Sequence, residues 1–178
     1  MSDDVDVRAW LQERGTDTVR HPGGTLYQHL CRVSEHLSEV GHRPEVQAAG
    51  LTHAAYGTDG FDLALLFWQQ RDELRGLVGD EAEELVYLYG SCDRDRTWLT
   101  LPRAGEVTDR FTGTVRTLEA DRLTEFVDLS LVNELDVLHQ NPGILERNRA
   151  YFTALFTAWE PVVSEPLVKE IHNVLGRV

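Results

Sequence analysis

Lysine is almost missing from this chain: Lys169 is the one example among 178 residues. The positive charge is therefore nearly all arginine, whose planar fork suits phosphate and carboxylate groups, though genome composition accounts for the bias as readily. Positive charge is also outnumbered, with 17 Lys and Arg against 30 Asp and Glu and a formal net charge of −13. That excludes nucleic acid as the main partner, since duplex binding rests on a basic face. It also argues against an anionic membrane surface. Two cysteines, Cys31 and Cys92, are too few for a disulfide framework. No apolar run approaches the roughly 20 residues that span a bilayer, and the acidic start MSDDVDV lacks the apolar core of a signal peptide. Internal repeats, a P-loop and a dinucleotide fingerprint are absent. What is there is a 42% hydrophobic composition, enough for a packed core. The expectation is one cytoplasmic domain spanning residues 1–178.

Hydrophobic spacing reads as mostly helical. A first helix is expected over Asp3–Arg14, with Ser2 as cap and Gly15 as stop. Thr25 opens a second helix to Val40, with Leu26, Leu30, Val33, Leu37 and Val40 on one face. Pro44 suits the first turn of a third, running to about Tyr56 and carrying Ala49 and Gly50, small residues that let another helix pack closely. A short helix is expected over Asp62–Gln70. Asp80-x-x-Glu83 resembles a capping box that starts a helix to Tyr89. Partial alternation of Thr, Val and Phe suggests a small β-hairpin near 97–118. Helical period returns over Glu119–Leu138, Ile144–Trp159 and Ser164–Leu175. Tyr151, Phe152, Leu155, Phe156 and Trp159 form a stripe that reads as core or as a homodimer contact.

Among seven histidines, His29 and His53 stand out. They lie 24 residues apart on the inner faces of neighbouring expected helices. Two imidazoles presented this way can share one divalent ion, although a histidine on an apolar face is ordinarily a satisfied core residue.

The stretch Arg20-His21-Pro22-Gly23-Gly24-Thr25-Leu26-Tyr27-Gln28-His29 resembles a motif of the HD-domain superfamily of metal-dependent phosphohydrolases, in the form found in the hydrolase domain of guanosine tetraphosphate metabolising enzymes. That motif reads roughly Arg-x-Ser-Gly-x-Pro-Tyr-x-x-His, and Arg20, Gly23 and His29 match it. The family's Ala-x-Leu-Leu-His-Asp and Glu-Asp-Thr segments align with Ala49-Gly50-Leu51-Thr52-His53-Ala54 and Gly57-Thr58-Asp59. Val78-Gly79 to Val86 and Val132-Asn133-Glu134-Leu135 follow in the family's order, so the resemblance runs over about residues 20–140. It implies an all-α, HD-domain-like helical bundle and hydrolysis of a phosphate ester of a small anionic molecule.

The departures fall on the chemistry. The family holds its metal with His, His-Asp and a distant Asp. Here the histidines are His29 and His53, the Asp after the second is Ala54, and the distant Asp is Asn133. The Glu-Asp pair is Gly57-Thr58. A divalent ion (Mn, Fe or Zn) would keep His29, His53 and the Asn133 amide. Asp59, just past the lost pair, Tyr56, three residues after His53, and His21 in the preceding loop are the candidate catalytic groups. Arg20 and Arg94 are the candidates for an anionic substrate group, although the alternating charges of Asp93-Arg94-Asp95-Arg96 also suit a solvated loop. His139 and Asp136 are nearby replacements on the Asn133 helix, with a solvent-facing helix end the simpler reading of His139. A metal-free tailoring enzyme using the same histidines, or a non-catalytic small-molecule-binding module, remains open beside the hydrolase.

Overall fold

The computed structural model describes residues 3–61 and 63–176. Ser2, the expected first cap, and Asp62, the expected start of a short helix, lie outside them. The fold is all-α with small antiparallel hairpins. It divides into two compact units, Met1–Ser91 and Cys92–Val178.

The first unit holds five helices: α1 (Asp3–Glu13), α2 (Leu26–Glu39), α3 (Pro44–Thr52), α4 (Arg71–Val78) and α5 (Asp80–Ser91). Before α2, β1 (Arg20–His21) and β2 (Gly24–Thr25) pair as a two-residue hairpin, His21 opposite Gly24. Pro22 and Gly23 make its turn, and Gly23 and the first residue of β2, Gly24, have φ of +79° and +137°, values that side chains resist. Thr25 then caps α2 through a reciprocal capping box: its hydroxyl accepts from the Gln28 N–H, and its own N–H donates to Gln28. The expected face is realised, since Leu26, Leu30, Val33 and Leu37 are buried. Burying one such leucine contributes about 1.5–3 kcal/mol. At Gly50 on α3, an added Cβ would come within 2.5 Å of Leu37, so the glycine is what lets α2 and α3 approach.

The third helix stops at Thr52 rather than at Tyr56. Beyond it the N–H groups of Ala55 and Gly57 turn back to the carbonyls of Thr52 and Ala54, tighter bonds than an α-helix makes. Residues 63–70 are not helical. The N–H groups of Leu65 and Leu66 both donate to the Ala55 carbonyl, which takes them from any local helix. The next helix is α4, and α5 follows it after Gly79 alone.

The second unit opens with two single-turn helices, α6 (Arg94–Thr97) and α7 (Leu101–Ala104). The expected hairpin therefore begins later than residue 97. Asp93 caps α6 by accepting from Arg96 N–H, and this local bond commits the stretch to a helical turn. The hairpin itself is β3 (Glu106–Thr108) against β4 (Val115–Thr117). A long helix, α8 (Ala120–Gln140), follows its expected bounds closely. The helix expected over Ile144–Trp159 is two, α9 (Pro142–Arg147) and α10 (Arg149–Trp159). Asn148 divides them, folding its backbone and side-chain amides onto the Ile144 carbonyl. The last helix, α11 (Glu165–Leu175), starts at Ser164. Phe152, Leu155, Phe156 and Trp159 are buried in this unit, and Trp159 donates to the Trp98 carbonyl at 2.9 Å. Of the aromatic stripe, Tyr151 alone is exposed.

Candidate functional site

Three of the histidines come together in the first unit. His29, one turn into α2, and His53, just after α3, are 1% and 2% exposed. Their Nε2 atoms lie 3.3 Å apart. His53 Nδ1 is 2.7 Å from the Gly50 carbonyl oxygen. A carbonyl only accepts, so this bond puts the proton on Nδ1 and leaves Nε2 of a neutral His53 as a lone-pair donor. His21, on β1, stacks on His29 with ring centroids 4.0 Å apart, and Phe61 meets His21 edge-on. Tyr89 of α5 stands edge-on to His53 at 5.1 Å. The cluster is thus assembled by a hairpin, two helices and a third helix packed against them.

The 3.3 Å separation admits two occupancies. It is within reach of a hydrogen bond from His29 Nε2–H to His53 Nε2. It is also the edge that two imidazoles span on one ion, since bonds of about 2.0–2.1 Å set cis ligands about 3.0–3.4 Å apart. The bond from His53 Nδ1 to a backbone carbonyl is the support that metal-binding histidines receive. The number of donors is what falls short. Among the described residues, no group of three or more His, Cys, Asp or Glu is placed to hold a metal ion. The stacking of His21 on His29 sets the two rings nearly parallel, 26° apart, rather than converging on a point. Among the described residues, the pair offers two coordination positions.

The remaining candidates are placed variously. Asp59 sits in the tight turn closed by mutual backbone bonds between Thr58 and Phe61. Arg20 is exposed on β1, directly before His21. Asn133 is buried on α8 in the second unit, where its amide donates to Glu134 at 3.0 Å. Arg94 lies over the Trp98 ring at 4.2 Å and pairs with Glu134 at 3.4 Å. Its neighbour Arg96 is exposed and pairs with Asp93, as a solvated loop would have it. Asp136 is buried on α8 and His139 is exposed at its end.

Tyr56 does not turn its hydroxyl to the histidines. The phenol donates to Glu83 Oε1 at 2.7 Å. Burial, this hydrogen bond and the nearby carboxylate charge together hold its proton far above the ordinary tyrosine range, so Tyr56 is a standing donor and a poor proton shuttle near neutral pH. Glu83 is fully buried. Arg71 meets it with two nitrogens, each at 2.7 Å, and Arg75 Nε with one at 3.0 Å. Arg71 also binds Glu84 and lies over the Tyr87 ring. Burial alone would loosen the Arg71 proton, but its bonds to Glu83 and Glu84 outweigh that and tighten it.

Glu83 is the important residue that the sequence reading misses. Asp80-x-x-Glu83 reads as a capping box, but the carboxylate points inward to side chains. Two signals were available: the i,i+4 pair Arg71 and Arg75 just upstream, and the position of Glu83 among Ala82, Leu85 and Val86. A cavity of about 660 Å³ opens elsewhere in this unit, between Val7, Gln47, Leu51 and Val78. Arg75 is common to it and the Glu83 cluster, while His29 and His53 do not line it.

Residues 10–94, 85 of the 178, match a family model described as a domain of unknown function, DUF6817. The matched stretch contains the histidine cluster and the whole Glu83 cluster, and ends at Arg94. No curated protein matches the chain, and no solved structure does.

Proposed function

We propose that this chain is an HD-type pocket enzyme that works on a small anionic substrate with the paired imidazoles of His29 and His53, and that phosphoester hydrolysis assisted by a divalent ion is its reaction. One observation carries the reading: two buried Nε2 atoms 3.3 Å apart, one ring fixed through Nδ1 by a backbone carbonyl. Burial without a partner is costly for imidazole, and the pair spends that cost on aiming two nitrogens at each other. His29 and His53 would hold the ion, which would supply Lewis acidity toward a phosphoryl oxygen. With two protein ligands the ion would exchange readily. Arg20, exposed beside His21 on β1, gives an anionic substrate a fork to meet. Asp59 is the carboxylate closest in sequence to the turn carrying His53.

A second reading follows from the same distance. Without an ion, His29 and His53 form a hydrogen-bonded dyad able to pass one proton, a metal-free acid–base device. The tautomer of His29 separates the two: an ion leaves Nε2 bare and the proton on Nδ1, whereas the dyad needs the proton on Nε2. The direct test is elemental analysis of untagged protein, wild type and His53→Ala, after incubation with manganese, iron and zinc. Stoichiometric metal that His53→Ala loses supports hydrolysis, to be followed with phosphate esters. Wild type that takes up none sinks the metal reading and leaves the dyad.

A further inference from the structure

We propose that Glu83 is a positioning residue for His53, acting through the hydroxyl of Tyr56. The inference rests on the reading of the imidazole pair as working groups. The turn at residues 53–57 carries His53, and α3 ends before it, at Thr52. Two tight backbone bonds, Ala55 N–H to Thr52 and Gly57 N–H to Ala54, hold part of this turn, and contacts from other segments hold the rest. The Ala55 carbonyl accepts from Leu65 and Leu66 N–H at 2.8 and 2.9 Å. His53 itself bonds the Gly50 carbonyl of α3 and faces His29 of α2, and Ala54 packs with Leu26 and Leu30. Further contacts come from α5. Tyr89 lies edge-on to the His53 ring. At Gly90 an added Cβ would meet the Gly57 carbonyl oxygen at 3.0 Å and the Tyr56 Cβ at 3.1 Å, so α5 approaches the turn as closely as a glycine allows. Glu83, two turns earlier on α5, accepts the Tyr56 hydroxyl at 2.7 Å.

The Tyr56 hydroxyl is thus the one side-chain hydrogen bond in this set that ties the turn to α5. Its acceptor is itself immobilised, because Arg71 and Arg75 hold both carboxylate oxygens. The bidentate contact from Arg71 leaves the carboxylate one orientation. That orientation bears on where Tyr56 lies and, through three residues of turn, on whether His53 Nδ1 keeps its reach to the Gly50 carbonyl. A displacement of about 1 Å is enough to spoil a working geometry. The effect proposed for Glu83 is one of aim, carried to His53 by Tyr56 and the turn.

The test is the tautomer of His53 in metal-free protein, read from the ¹⁵N shifts of labelled histidine. Wild type is expected to show His53 protonated on Nδ1, as its bond to Gly50 requires. Tyr56→Phe removes only the hydroxyl and is expected to mix the two tautomers. Glu83→Gln, which keeps an acceptor but loses the charge that orients both arginines, is expected to do so more strongly. Leu167→Ala, a cavity at a buried position of α11 in the second unit, is the control for lost stability and is expected to leave the His53 spectrum unchanged. Zinc binding is the second readout, expected to weaken about tenfold in Tyr56→Phe. Should Glu83→Gln not fold, Tyr56→Phe decides alone. An unchanged His53 spectrum in Tyr56→Phe overturns the proposal, and so does an equal disturbance in Leu167→Ala. Wild type that binds no zinc, with the tautomer effect intact, removes the metal reading and leaves the positioning role standing.

Discussion

Glu83 in the first unit and Asp128 in the second are both fully buried carboxylates on helices. Glu83 is met by side chains: a tyrosine hydroxyl and two guanidinium groups. Asp128 accepts from the Ser164 backbone N–H at 3.0 Å and from the Ser164 hydroxyl. Asp128 thereby satisfies a donor at the start of α11, where helix N–H groups lack internal partners. The same chemical group does two jobs. In the second unit it secures a chain end, which is scaffolding. In the first it sets the orientation of other side chains beside a pair of imidazoles. Side-chain partners can be moved by a substrate or an ion, whereas a helix start cannot move without loss of fold.

Glu83→Ala is the severest break of that comparison. It leaves Arg71 and Arg75 part-buried without their acceptor and strands the Tyr56 hydroxyl, an expected loss of about 3–4 kcal/mol in urea unfolding. Both arginines keep some solvent, which limits the cost. A loss below about 1 kcal/mol would mean the cluster is surface-like. Asp128→Ala comes next, at about 1–3 kcal/mol. Its mark is that the His53 tautomer stays as in wild type, and a changed tautomer would contradict the scaffold role assigned to it.

A pH series sharpens the contrast further. Tyr56 holds its proton more tightly folded than unfolded. The unfolded chain then binds fewer protons than the native one above about pH 10. Stability is accordingly intact below that pH and falls as pH rises beyond it, by at most about 1.4 kcal/mol per pH unit for one group. Unfolding followed from pH 9 to 11 should show this fall in wild type and a shallower one in Tyr56→Phe. Equal slopes would count against the buried phenol. The smallest expected effect is Thr25→Ala, which removes the cap of α2 one turn before His29, at about 1 kcal/mol. Loss of zinc binding beyond that stability change would show that the hairpin, too, aims an imidazole.

Local pattern made much of the fold legible. The apolar spacing of α2 and the cap at Thr25 are both realised, and α8 keeps its expected span. The errors are of one kind. Residues 63–70 and the stretch at 97 depart from expectation because distant or competing hydrogen bonds claim their backbone, as at Ala55 and Asp93. The site divides in the same way. The convergence of His29 and His53 follows from two helical faces, and the close approach of α2 and α3 from Gly50, whose missing side chain makes room for Leu37. The partner of Tyr56 did not follow, because a Glu three residues into a helix has the same local pattern whether it caps the backbone or turns inward.

The sequence alone therefore determined the helical class, the inward face of α2, the pair of imidazoles and the absence of carboxylates at Ala54 and Gly57-Thr58. Those depend on residue identity and on spacing within one helix. Only the tertiary structure decided which nitrogens meet, which tautomer Gly50 imposes on His53, and that Glu83 belongs to Tyr56, Arg71 and Arg75. Each of those depends on two segments packed to within hydrogen-bond distance, and a hydrogen bond across 27 residues of chain, as from Tyr56 to Glu83, has no period to announce it.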